Sequence, residues 1–572
     1  MPYLIALLFC FTSFASYAQT AENADFAPPL RIPLFLSGNF AELRSNHFHT
    51  GIDIKTAGVE GQVVQAIADG VVKRIGVSPA GYGNVLYIEH ANGYTSVYGH
   101  LQSFSPAITK LVRTKQYQEK SFKVDFTPDD PLQVSKGEQI ALSGNSGSSG
   151  GAHLHFEIRD TKSEHPLNPL LFKFNVKDNI PPRIRGIRFH ALSDTTFING
   201  KNEAKSFLIT GDNGNYQLKA GQKIEIYGAF GISVHGIDQL NGQPNSCGLY
   251  GIELRVDDDL ICAQQFDELD FETTRHINCY TDYEAFKTRA WHYHKSYLEP
   301  GNKLEIYTPT PPDRGVISIA TAGAHKLNYN LSDAHGNVSK LSLSFQSIEK
   351  TPVSVDGSPK FTAYFPFDQT NTFSYPGELE VEIPKGALYD NLKFQASRQL
   401  AGTGELSPQF LVHNYYTPLQ SAVMLRFDWF AIAPNLREKV VARREDPAGK
   451  LGYVAGKASA EGFEIRTKDF GKFALVLDTV APEIIPSKYS ASGAILNSRS
   501  GLRYTIRDSR AGVATYTATL NGEWILATYD AKNAALTIDV SESGFKKGKN
   551  ELIIAVDDYC GNRKERRFTY TY

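Results

Sequence analysis

From Arg31 to Phe172 apolar and polar residues alternate in short runs, and each run stops at a glycine or an Asn-Gly pair. The longest pieces are GQVVQAIADGVVKRIGV, GNVLYIEHANGYTSVYGHL and GEQIALSGNSGSSGGAHLHFEI. Period-two alternation cut by turn residues predicts short antiparallel strands. The same texture continues to the end of the chain, so the fold class is mostly β: a small antiparallel β domain followed by three β-sandwich modules. Helical patterning is sparse. One short helix and a strand are predicted within 106–133, and a partly helical insert within DELDFETTRHINCYTDYEAFKTRAWHYHKSYLE (267–299).

An internal repeat organises the later modules. Gly323, Leu327, Asp333, Gly336 and Asn337 recur with identical spacing as Gly548, Leu552, Asp558, Gly561 and Asn562. Upstream, GIDQLNG loosely parallels IRDSRAG, and each copy follows a linker of similar chemistry, DNIPP and DTVAP. Alternating strands with an Asp-x-x-Gly-Asn turn before the last one resemble immunoglobulin-like sandwiches. The expected organisation is a leader at 1–18, the first β domain at 19–178, an Ig-like sandwich with an insert at 181–348, a sandwich at 353–477, and a second Ig-like copy at 480–572.

Composition narrows the function classes. A chain of 572 residues exceeds what one core supports. Lys plus Arg total 59 against 61 for Asp plus Glu, so no basic field points to nucleic acid. The apolar run from Leu4 to Phe14, with small residues at Ser16 and Ala18, predicts signal-peptide cleavage before Gln19 and export to the periplasm or cell envelope. That run is shorter than the ~20 residues a membrane helix needs, and no later segment is long enough for a transmembrane span. Phe9 stands before Cys10 where lipidation wants a small residue. Beyond the leader lie Cys247, Cys262, Cys279 and Cys560, too scattered for a zinc knuckle. The proximity of the first three predicts one internal disulfide in an oxidising compartment.

Candidate chemistry sits in three short stretches. In GAHLHFE, His153 and His155 are two apart and face one side of a strand, while Leu154 faces the other. In HTGID, His49 and Asp53 are four apart. A straight strand would hold them more than about 13 Å apart, so the chain must bend, and Gly51 is expected to allow this through its conformational freedom. Two imidazoles and one carboxylate are a set that zinc accepts, with water in the fourth place, and the net positive site would acidify that water. In YGHL, His100 is a candidate to take a proton or hold developing negative charge. Other histidines read as structural: His47 exposed, His90 fixing a hairpin, His292 and His294 on the surface. GNSGSSGG lacks the residues of a phosphate loop and reads as a turn delivering the next strand.

HTGID, YGHL and GAHLHFE, in that order and with their flanking glycine-rich text, resemble the lysostaphin/LytM-type zinc endopeptidases of bacterial cell walls. The resemblance covers the first β domain alone. It implies that His49, Asp53 and His155 hold one Zn2+ ion, while His100 and His153 are the unligated pair that act as base and electrostatic stabiliser, in an order left open. The implied reaction is hydrolysis of a peptide bond in peptidoglycan. Peptidoglycan would be the partner, with other envelope proteins or glycans reached through the C-terminal modules. Two other readings stand beside this one: a catalytically silent LytM-like wall-binding regulator, and an envelope adhesion or glycan-binding protein. The chain departs from the family pattern in the 106–133 insert and in Ala152, where the family commonly has proline.

Overall fold

The structure, a computed structural model, describes residues 24–349, 361–430 and 432–572, and the leader expected at 1–18 lies outside them. The fold is mostly β. In the N-terminal domain the strands run, in spatial order, Leu36–Gly38, Ile52–Lys55, His153–Asp160, Tyr94–Gly99, Asn84–Glu89, Gly70–Val77 and Val124–Phe126, each antiparallel to its neighbour. His153–Asp160 is central, paired on both sides. Its alternation divides two environments: Leu154, Phe156 and Ile158 are fully buried in the core, and His153, His155, Glu157 and Arg159 share the other face. A smaller sheet of Val63–Gln65, Gln139–Leu142 and Ser103–Phe104 closes the same core through Val64, Ile140 and Ala141.

The insert forms the helix Pro106–Glu119 and then the strand Val124–Phe126 at the sheet edge, as its pattern predicts. Proline opens the helix, and Lys120 ends it in the left-handed region at φ 48. Ile108 and Val112 bury one face.

Beyond residue 180 the chain forms three two-sheet packings, each with one shared core. Ile187 and Ile232 of one sheet meet Leu254, Tyr329 and Leu343 of another. Val381 and Leu425 meet Phe410 and Leu475, and Tyr504 and Leu536 meet Leu552 and Phe568. The repeated turn is the same object twice. Asp333 Oδ1 accepts from the backbone N–H of His335 and Asn337, and Asp558 Oδ1 from those of Cys560 and Asn562. Gly336 and Gly561 take φ 86 and 68, which glycine supplies without strain.

Two expectations fail. Cys247, Cys262, Cys279 and Cys560 are all buried and unbridged. Cys247 packs in the N-terminal core, Cys262 in the next one, and the Cys279 thiol donates to the His276 carbonyl. Cys247 and Cys262, sealed in different cores, cannot meet. His294 is also not a surface residue. The strand His294–Lys295 adds to the edge of Phe230–Ile237, and His294 Nδ1 lies 2.9 Å from the Tyr280 hydroxyl; His292 is half-buried against Phe286.

The modules dock onto the N-terminal domain. Phe40 and Phe48 bury against Phe266, Ile277, Tyr280 and Ile306, and the Asn39 side chain exchanges two hydrogen bonds with the Gly248 backbone at 2.9 and 2.7 Å. The last module returns to the insert helix: Arg113 pairs with Glu542 at 2.9 Å, and Tyr117 meets Trp524 edge-on. Lys532 donates to Asn145 and to the Ser149 carbonyl. Among the described residues no helix is long and apolar enough to cross a membrane.

Candidate metal centre

His155 and Asp53 are direct cross-strand partners, so sheet register alone puts them side by side. His49 comes from the bend before Ile52–Lys55. The bend passes so close to its neighbour that a Cβ on Gly51 would sit 2.3 Å from the Phe156 carbonyl oxygen. Gly51 does not use a left-handed φ; the position demands space rather than an unusual dihedral, which corrects the expectation from sequence.

The three ligand atoms form a nearly equilateral triangle. His49 Nε2, His155 Nδ1 and Asp53 Oδ1 are each 3.0 Å from the other two. The outer ring nitrogens fix the tautomers. His49 Nδ1–H donates to the Asn39 carbonyl at 2.7 Å, and His155 Nε2–H donates to Glu157 Oε1 at 2.8 Å. Both inner nitrogens therefore turn lone pairs toward each other and toward a carboxylate, an arrangement that repels itself unless a proton or a cation lies between them. This donor set fits a divalent ion of the zinc class, and the outer hydrogen bonds are the orienting contacts such ligands use. His49, Asp53 and His155 could hold a metal ion.

Charge inside the cluster is strongly biased. Burial works to neutralise Asp53, yet His49, His153 and His155 outweigh it and hold the carboxyl well below its usual range. Burial would likewise lower His155, but hydrogen bonds to Asp53 and Glu157 raise it to about 9. Arg44 adds a cation 3.0 Å from Asp53 Oδ2. Glu157 is fully buried. Burial opposes its charge, and Arg159, His155 and Thr50 overcome that and hold it ionised; Tyr82 donates to the same oxygen at 2.5 Å.

The other two predicted residues stand beside the triangle. His153 Nε2 is 3.4 Å from Asp53 Oδ1, and its Nδ1–H donates to the Gly151 carbonyl. His100 packs against it with ring centroids 4.9 Å apart, and its Nδ1–H donates to the Ser146 carbonyl. His100 keeps its lone pair at Nε2, whereas His153 Nε2 faces the Asp53 carboxylate. Burial, then the charges of His155 and His153, lower His100 to about 3, so it stays neutral at ordinary pH. Of the three histidines paired with Asp53, His153 has the most exposed side chain, at 15%. His47 is exposed and His90 is buried in its hairpin, bonded to Asp69 O and Ser96 Oγ.

Sequence reasoning missed Asn39, Arg44, Tyr82 and Glu157. Only Glu157 had a readable signal: it lies two beyond His155, so the alternation that pairs the histidines also places it on their face.

Residues 47–118 match the model of Peptidase family M23, and residues 362–478 match that of the Zu5-like domain. The DD-carboxypeptidase/endopeptidase Mpg of Neisseria meningitidis is 36% identical over 128 residues, 22% of this chain and 23% of that protein. The murein hydrolase activator NlpD of Escherichia coli is 39% identical over 121 residues, 21% of this chain and 25% of its own length. Among solved structures, the catalytic domain of the prophage-encoded M23 protein EnpA from Enterococcus faecalis is 23% identical, with 26% of this chain and 96% of that one covered and a TM-score of 0.20. The chain carries a LytM-type M23 peptidase domain, and it spans about a quarter of the length of the curated relatives it matches.

Proposed function

We propose that the chain is an exported zinc metalloendopeptidase of the cell envelope that hydrolyses peptide bonds of peptidoglycan. In this reading 19–178 is the peptidase domain, and 181–348, 353–477 and 480–572 are β-sandwich modules that reach the wall or other envelope partners. One observation carries it: His49 Nε2, Asp53 Oδ1 and His155 Nδ1 converge 3.0 Å from one another beside the rings of His100 and His153. His49, Asp53 and His155 would hold the ion, which when bound supplies a Lewis acid that acidifies water and polarises a carbonyl.

The chain's own groups divide the remaining work. His153, which faces Asp53 beside the ligand triangle, takes the proton of the attacking water and passes it to the leaving amine. His100, neutral and poorly basic, accepts a hydrogen bond from that water and orients it. Arg44 and the Glu157 network keep Asp53 and His155 in their charged and tautomeric states. The test is digestion of purified peptidoglycan with mass spectrometry of the products, run beside zinc content. New peptide ends are expected, and His153→Ala should lower kcat by about 10²–10⁴ while zinc is retained. Bound zinc with no new ends, and no effect of His153→Ala in cells, would overturn the proposal. The similarity to a murein hydrolase activator favours a second reading, a non-hydrolytic regulator, and that outcome is its signature.

A further inference from the structure

We propose that Asp178, Asp333 and His335, backed by Asp238, form a second metal site that takes a divalent ion of the zinc or manganese class at the junction between the linker and the first sandwich. The ligand atoms of Asp178, Asp333 and His335 all lie within 4.8 Å of one another. The Asp178 side chain is 0% exposed, and its Oδ2 has no hydrogen-bond partner among the described residues. Asp238 is 2% exposed and its Oδ1 is equally without one; it stands within charge–charge range of both Asp178 and Asp333. A buried carboxylate oxygen left without a donor is costly; burial raises Asp178 to about 6 and Asp238 to about 8, and a bound cation would take the place of the protons these carboxyls otherwise hold.

His335 supplies the directional argument. Its Nε2–H donates to the Val176 carbonyl at 2.9 Å, which leaves the lone pair on Nδ1. That atom lies 4.0 Å from Asp178 Oδ2. A lone pair facing a carboxylate across that gap is unfavourable when it is empty and suits a cation between them. One imidazole nitrogen with carboxylate oxygens fits zinc or manganese better than calcium, which takes oxygen alone.

The second copy of the repeat gathers a related cluster, Asp478, Asp508 and Asp558, whose ligand atoms also lie within 4.8 Å of one another, and the two copies differ in donors and ligand type. There Asp478 occupies the place of Asp178, but its Oδ1 accepts from Val480 N–H and its Oδ2 from Ala511 N–H. Cys560 stands at the position of His335 and turns its thiol toward the Val440 carbonyl. In both copies the turn asparagine, Asn337 or Asn562, donates to the linker aspartate's carbonyl. Asp508 Oδ1 is without a partner in the second copy, as Asp238 Oδ1 is in the first, but there both oxygens of the linker aspartate are met by backbone donors. The first copy withholds one of those donors and adds a nitrogen ligand.

The full chain, stripped of metal and then equilibrated with Zn2+ or Mn2+ and desalted, tests this through metal content by mass spectrometry and through the melting temperature. Asp178→Asn and His335→Ala should each hold one equivalent fewer than the parent chain and lose part of the metal-induced rise in Tm. Asp53→Ala should lose a different equivalent and keep this one. Unchanged stoichiometry in Asp178→Asn, or in the partly exposed His335→Ala should Asp178→Asn fail to fold, overturns the site. Retention of Ca2+ alone at these residues also overturns it, because the imidazole would then have no part.

Discussion

Replacing Glu157 by Gln keeps a hydrogen-bond acceptor for His155 Nε2–H but removes the charge that makes this ring a strong donor to a metal. Zinc affinity is expected to fall about 10–100-fold, read by competition with a chromophoric chelator. pH gives a second test. In the metal-free chain His155 is raised to about 9 from an ordinary 6.5, so its contribution to stability is complete below 6.5 and is lost as pH rises through 9. A bound ion needs that ring unprotonated. The gap in Tm between loaded and stripped protein should therefore widen from pH 6 to pH 9, by roughly 5 °C or more; a constant gap would sink the account. At this scale the His-x-His spacing was legible as strand geometry, and His-x-x-x-Asp as a pair that converges only if the chain bends between them. Asn39 and Arg44 were not, because nothing in their neighbourhood marks a carbonyl or guanidinium that becomes a contact only after folding.

Between elements, the close approach at Gly51 is the feature most exposed to substitution. Gly51→Ala puts a methyl 2.3 Å from the Phe156 carbonyl oxygen, so Ile52–Lys55 must shift away from His153–Asp160. A loss of about 2–4 kcal/mol is expected, with loss of metal, measured by the urea midpoint and by zinc content. Alternation made the strands of the N-terminal domain readable, and the proline-led pattern did the same for the insert helix. Cysteine pairing was not readable. Sequence proximity of Cys247, Cys262 and Cys279 says nothing about which core each side chain enters. His294 was misplaced for a similar reason: a two-residue edge strand has too little pattern to reveal that another strand covers it.

Across the whole molecule, the metal centre is braced by modules far from it in sequence. Gly248 holds Asn39, and the Asn39 carbonyl holds His49. A chain ending at residue 178 would expose Phe40 and Phe48 and free Asn39. It should bind zinc more weakly and melt lower than the full chain, measured by chelator competition and calorimetry. Lys532→Ala releases the loop before His153 and should lower kcat on peptidoglycan by roughly three- to tenfold, less than the ~10²-fold that a 1 Å misplacement costs, with zinc content unchanged. None of this docking was legible, because it depends on complementarity between surfaces that carry no repeating pattern.

The contact of Lys532 with Asn145 and Ser149 also has a meaning in time. Chains are made from the N-terminus and domains fold largely as they emerge. The triangle of His49, Asp53 and His155 can close early, whereas Lys532 arrives hundreds of residues later. During that interval Tyr117 and Arg113 of the insert helix lack Trp524 and Glu542. A newborn chain thus holds its ligands well before this brace, and the order of synthesis delays the braced site until the module carrying Lys532 has been made.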